Sequence, residues 1–165
     1  MKSITSFLTL LFVACLFLLS ATSSAQTSVN SKDCIGVWKT VDDESGRTKS
    51  HVQIYKSGSK YHAKVIRLLD EQTLKDSGEK RFEDIKCKKC PSDHGKGQKM
   101  HGLEIIWDME KASDKWKGGT IMDPKKGSTY TCTMWMDDND SKGNTLKVRG
   151  WVGFIYRTQT WYRVK

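Results

Sequence analysis

The sequence predicts an all-β fold, a single antiparallel meander of about eight strands closed into a barrel. Three observations predict it. The dominant hydropathy period is two, as in Thr129–Met136 (TYTCTMWM). There Tyr130, Cys132, Met134 and Met136 alternate with Thr129, Thr131, Thr133 and Trp135, a strand pattern. Such runs are joined mostly by short polar turns. Finally, a meander of this size most simply hides its edges by closing on itself.

In order, strands are expected over Ile35–Val41, Ser50–Tyr55, Tyr61–Leu69, Gly102–Asp108, Lys115–Met122, Ser128–Met136, Thr145–Val152 and Gln159–Val164. Val52 and Ile54 alternate with His51, Gln53 and Tyr55, and Tyr61, Ala63 and Val65 with His62 and Lys64. Lys56–Lys60 (KSGSK) joins those two runs as a hairpin loop. Leu103, Ile106, Trp107 and Glu110 fit a helical face as well, but Ile105-Ile106-Trp107 is β-prone and Gly118-Gly119 breaks a helix nearby. Strand, turn, strand is therefore expected there. In Asp123–Gly127 (DPKKG), Pro124 suits the second position of a turn and Gly127 its end. Asp137–Asn144 (DDNDSKGN) is another polar turn, and Leu146, Val148, Gly150 and Val152 alternate with Lys147, Arg149 and Trp151. Two gaps are longer, Asp70–His101 and Gly153–Thr158.

The chain opens on Met1-Lys2, an apolar run over Phe7–Leu19 and small residues at Ser23 and Ala25. This is the pattern of a cleaved signal peptide over residues 1–25, and the apolar run is short for a membrane span. A flexible lead over 26–33 and a barrel domain over 34–165 follow. Export to the periplasm or the outside is the expected localisation. Removing 25 of the 165 residues takes away Lys2 and no acid, so the net charge goes from +9 to +8. The lysines are spread along the chain rather than gathered beside aromatics, which argues against nucleic acid and leaves an anionic envelope surface as a partner.

Four cysteines remain after cleavage, Cys34, Cys87, Cys90 and Cys132. An even count in an exported chain points to disulfides, with three pairings open. Cys87–Cys90 with Cys34–Cys132 is one; a bond tying the long loop to the barrel is another. In Cys87–Gly95 (CKKCPSDHG), Pro91 excludes a c-type haem anchor, and the all-β pattern lacks the helix N-terminus of a thioredoxin-like pair. The stretch is read as an oxidised clip in the loop between the third and fourth strands, near one rim. Zinc held by Cys87, Cys90, His94 and His101 is the alternative, although the gap before His101 is long. The turn at Asp137–Gly143 lacks the glycine and the final glutamate of an EF-hand loop.

No zincin motif, nucleophile elbow or phosphate loop is present. Glu104, Asp108 and Asp123 are spaced as ordinary surface acids. A non-enzymatic protein is expected, with no cofactor, as a monomer.

Several stretches resemble a known family. They are Gly36-Val37-Trp38, Gly102–Ile106 (GLEII), Trp116–Pro124 (WKGGTIMDP), Gly127–Tyr130 (GSTY), Leu146–Gly153 (LKVRGWVG) and Arg157–Val164 (RTQTWYRV). Together they are similar to a bacterial exported domain-of-unknown-function family, numbered twenty-one forty-seven, itself similar to the lipocalin and calycin group of ligand-binding barrels. The resemblance covers essentially the whole mature chain. It departs in the loop, where many members have Asn-Pro-rich segments in place of CKKC, and at Tyr156, where glycine is usual. It implies a lipocalin-like barrel and brings no catalytic residues. It further implies that Trp38 stacks under a basic residue of the last strand, Arg157 or Arg163, for about 0.5–2 kcal/mol.

Small-ligand binding inside the barrel is the leading expectation, through Trp107, Tyr130, Met134, Trp151 and Trp161. The alternative is an envelope structural or interaction protein with a filled barrel and a basic outside. A solid interior favours the second.

Overall fold

The computed structural model describes residues 32–164. The expected signal peptide and most of the flexible lead fall outside the described residues. Eight strands follow in sequence order: β1 (Gly36–Val41), β2 (Thr48–Ser57), β3 (Lys60–Leu68), β4 (Glu104–Ala112), β5 (Lys115–Asp123), β6 (Ser128–Met136), β7 (Thr145–Val152) and β8 (Ile155–Arg163). Each pairs antiparallel with the next, and β8 pairs with β1, so the barrel is closed. That closing seam is short, running over Trp38↔Arg163, Lys39↔Tyr162 and Thr40↔Trp161. The β7–β8 ladder is long, from Thr145↔Tyr162 to Val152↔Ile155. Residues 155–160 of β8 therefore project past the end of its pairing with β1.

The period of two places one set of side chains inside. Trp38, Val52, Ile54, Ala63, Ile106, Met109, Trp116, Cys132, Met134, Leu146, Val148 and Trp161 are all at most 2% exposed. Three tryptophans and two methionines fill the bore, as expected for a barrel whose interior is about as wide as its side chains. Thr40 and Ser50 are the inward polar pair, and their hydroxyls bond each other at 2.8 Å.

The fourth strand explains its own ambiguity. Asp108 adopts a left-handed φ of 59°, and the register with β3 shifts there. The extra residue of this bulge puts Ile106 and Met109, three apart, both inside the barrel. Three is also a helical spacing, so the sequence pattern imitates a helix face.

Two expectations need correcting. Within the loop over 70–101 lies a helix, α1 (Glu71–Ser77), followed by a 3-10 turn at Phe82–Asp84. Asp70 caps α1, accepting from Gln72 N, and Gly78 ends it at φ 76°. Seven residues with none buried leave no apolar periodicity to read. The gap Gly153–Thr158 shrinks to a two-residue turn, Gly153-Phe154, because β8 begins at Ile155. Gly153 takes φ 57° at the first turn position, which tight hairpins demand and glycine supplies.

Candidate interaction surface

Strand alternation separates the five residues expected to hold a ligand. Tyr130, Met134 and Trp161 point inward. Met134 and Trp161 are core, at 0% and 2% exposure, while Tyr130 is half-buried nearer the mouth, beside Gly150 and Ile121. Trp107 and Trp151 point outward. Trp107 stacks on His94 with ring centroids 3.8 Å apart, and Trp151 packs against Tyr156 at 4.8 Å. The five form no single pocket. Among the described residues, one surface cleft lies at Arg47, Asp70 and Glu71 and another at His94, Gln98 and Glu104. Neither is lined by the tryptophans or methionines that fill the bore.

One barrel end is sealed by an arginine staple. The Arg163 guanidinium lies 4.3 Å from the Trp38 ring centre. It donates from Nη2 to Asp33 O at 2.7 Å, from Nη1 to Ile35 O at 2.9 Å and from Nε to Gly143 O at 2.9 Å. The Trp38 indole donates to Cys34 O at 2.7 Å. A side chain on Gly36 would bring its Cβ within 2.8 Å of Arg163 Nη1, which explains the Gly-Val-Trp opening. Arg157, the other candidate for this stack, is held elsewhere, donating to Asp43 at 2.7 and 2.9 Å.

The cysteine loop lies against the outer wall. Cys87 and Cys90 form a disulfide, with sequence separation 3. The thiolates that zinc would need are therefore consumed, His94 is stacked on Trp107, and His101 is exposed. No group of three or more metal-ligating side chains occurs among the described residues. Alternation puts Ile105 and Met122 on the outer wall, yet they are 7% and 2% exposed. The loop covers them, and Leu103, Cys87 and Cys90 bury themselves in the process. Cys34 and Cys132 are free buried thiols, which corrects the expectation that they pair. Burial pushes the Cys34 thiol up and the Cys132 thiol up to about 12, so both stay protonated and unreactive at neutral pH.

Beside the loop, Glu104 Oε2 accepts from Tyr55 OH at 2.8 Å and lies 3.0 Å from His62 Nδ1. Burial, with Glu104 adding to it, pushes the Tyr55 hydroxyl up to about 12. Such a tyrosine is a hydrogen-bond donor, not a base. The trio braces β2, β3 and β4 from outside.

The feature that sequence reasoning missed is at the other barrel end. The turn between β7 and β8 carries Val152, Phe154, Ile155 and Tyr156, which are 60, 91, 67 and 54% exposed. Val152 and Ile155 continue the inward-facing series of their strands past the end of the β1–β8 pairing, and both are exposed. Below the tip, outward-facing Arg149 stacks on Tyr156, Trp135 and Trp151 at 4.1, 4.8 and 5.3 Å. Arg149 Nε donates to Thr158 Oγ1 at 2.7 Å, and no carboxylate is in salt-bridge range of Arg149 among the described residues. The signal was present as Trp151–Tyr156 (WVGFIY), an apolar run with no polar turn.

Eight antiparallel strands closed in sequence order, with Gly-Val-Trp on the first stapled by an arginine from the last, define a lipocalin-like barrel. A solved structure from Helicobacter pylori, protein HP1028, described as belonging to the lipocalin family, superimposes with a TM-score of 0.61 over 81% of this chain and 84% of that one. Identity between the two is 20%, so the likeness concerns the fold alone. No curated protein sequence matches significantly. Residues 36–163 match the model of DUF2147, described as an uncharacterized protein conserved in bacteria, and the chain belongs to that family.

Proposed function

We propose that this protein is an exported, non-enzymatic interaction module, a solid barrel that supports a contact surface on its rim. The contacting element is the β7–β8 hairpin. The observation that carries this reading is a contrast. Trp38, Trp116 and Trp161 are at most 2% exposed, while Phe154 at the tip is 91% exposed. Apolar side chains held together in water by a rigid turn mark an interaction site, because leaving each outside forgoes about 1.5–3 kcal/mol of burial. Arg157 supports the base of the hairpin by its bidentate pair with Asp43. Small-ligand binding inside the bore, which a lipocalin-like fold raises, has less support, since Met134 and Trp161 occupy the volume a ligand needs.

The test compares wild-type chain with the double variant Phe154→Ser, Ile155→Ser by fractionating the cells that produce them. The wild type is expected with the envelope fraction, and the variant in the soluble fraction with an unchanged unfolding midpoint. A variant that stays with the envelope refutes the reading. A small apolar molecule retained by both proteins in native mass spectra moves the function into the bore.

A further inference from the structure

We propose that the partner of the β7–β8 hairpin is the surface of an anionic lipid bilayer; this rests on the reading above and names its partner. Three layers along the hairpin match the layers of a membrane interface. At the tip, Val152, Phe154 and Ile155 are exposed and apolar. Next comes the cross-strand pair Trp151↔Tyr156, an indole and a phenol, both amphipathic. Below them is Arg149, on the same outer face.

At about 3.3 Å per residue, the aromatic pair lies roughly 7 Å from the turn and Arg149 roughly 14 Å. Amphipathic elements bury their apolar face about 5–10 Å into the boundary between headgroups and acyl chains. Insertion to the Trp151–Tyr156 pair therefore leaves Arg149 at the height of the phosphates. Its Nη groups face no carboxylate within the barrel, and its Nε is fixed by Thr158.

Charge complementarity singles out an anionic surface. The β5–β6 turn sits at the same barrel end as the hairpin and next to it, because β6 pairs with β7. It carries exposed Lys125 and Lys126. The cysteine loop reaches this turn, with Cys87 Sγ 3.6 Å from Pro124 O, and adds exposed Lys86 and Lys89. Among the described residues none of these four lysines forms an ion pair. The carboxylate of the turn, Asp123, is turned inward to accept from the backbone of Lys125 and Lys126. On the other flank the β1–β2 loop carries Asp42, Asp43 and Glu44, of which Asp43 and Glu44 engage Arg157. The hairpin accordingly meets the membrane with its β6 side, where the lysines are uncompensated.

The experiment is co-sedimentation of the mature chain with vesicles of phosphatidylcholine alone and of an equimolar mixture with phosphatidylglycerol. Partition is expected to favour the mixed vesicles and to fall with added salt. Phe154→Ser and Ile155→Ser are each expected to lower it about tenfold. Lys125→Ala and Lys126→Ala are each expected to lower it about fivefold, at low salt only. Acyl chains brominated near the carbonyl are expected to quench tryptophan fluorescence, and Trp151→Phe to remove most of that quenching. Equal binding to both vesicle types overturns the anionic surface. Absent vesicle binding, with envelope association that still depends on Phe154 and Ile155, overturns lipid as the partner and leaves the hairpin reading standing. Concentration-dependent self-association lost in the double variant overturns it in favour of a second copy of this chain.

Discussion

Replacing Arg163 by alanine tests the physics that closes the barrel. The side chain makes three hydrogen bonds, to Asp33 O, Ile35 O and Gly143 O, and stacks on Trp38 at 4.3 Å. Charge-assisted bonds are worth more than neutral ones, but these carbonyls lie at a rim where water replaces a lost donor. About 1 kcal/mol for each bond is the fitting value. The stack adds about 0.5–2 kcal/mol. The total is about 3.5–5 kcal/mol, a large share of the roughly 5–15 kcal/mol that holds a domain together. Urea unfolding followed by circular dichroism measures it, with the slope checked for constancy. Arg163→Lys keeps the charge but loses the planar fork, and is expected to cost about half as much. It also supplies the readout where Arg163→Ala fails to accumulate. A double-mutant cycle with Trp38→Phe isolates the stack. An Arg163→Lys cost below about 0.5 kcal/mol refutes the staple.

Three further outcomes follow from the same structure. Iodoacetamide at pH 8 is expected to leave Cys34 and Cys132 unmodified in the native protein and to alkylate both in denaturant, as followed by mass spectrometry; rapid native labelling contradicts their burial. Burial alone would raise the Asp70 carboxyl, but bonds from Lys49 and Thr73, with the charges of Lys49 and Arg47, hold it below its ordinary value. A lowered folded pKa stabilises the protein above the unfolded value of about 4, and the gain is lost as pH falls through the folded value. Asp70→Asn is therefore expected to be less stable at neutral pH and to show a flatter acid limb in a pH-dependent melt. Gly127 has φ 75°, and a Cβ there would lie 1.9 Å from Lys89 O, so Gly127→Ala is expected to lift the Cys87–Cys90 clip from the barrel. Faster reduction of the disulfide by dithiothreitol measures this.

How much of the molecule was legible in its residues depends on how local the cause is. Strand number and order follow from the period of two and from turns such as Lys56–Lys60 and Asp123–Gly127, because alternation is a property of the extended chain itself. The disulfide clip was legible only as one of the open pairings: cysteines three apart meet where the chain turns, as this loop does with their Cα atoms 5.5 Å apart, and are out of reach where it is extended. The bulge at Asp108 was not, because its signature imitates a helix face.

The candidate site belongs mostly to the second class. Met134, Trp161, Trp107 and Trp151 are all large and apolar in sequence, and alternation alone separates inward from outward within each strand. Whether an inward residue lines a pocket or fills a core depends on what crosses the bore to meet it. Here Trp38 and Trp116 are buried in the same core as Met134 and Trp161, at 0% exposure. The free state of Cys34 and Cys132 was equally hidden, since pairing is a distance between strands. The exposure of Trp151–Tyr156 was hidden for the same reason. Gly153–Thr158 reads as a gap between strands, and only the register shows that β8 begins at Ile155 and runs past the end of its pairing with β1. By itself the sequence determined the strands and their order, because short-range stereochemistry sets them, and it left the pairing of the four cysteines open. Only the tertiary structure decided that the barrel is solid and its hairpin bare, because both follow from which distant side chains share the same space.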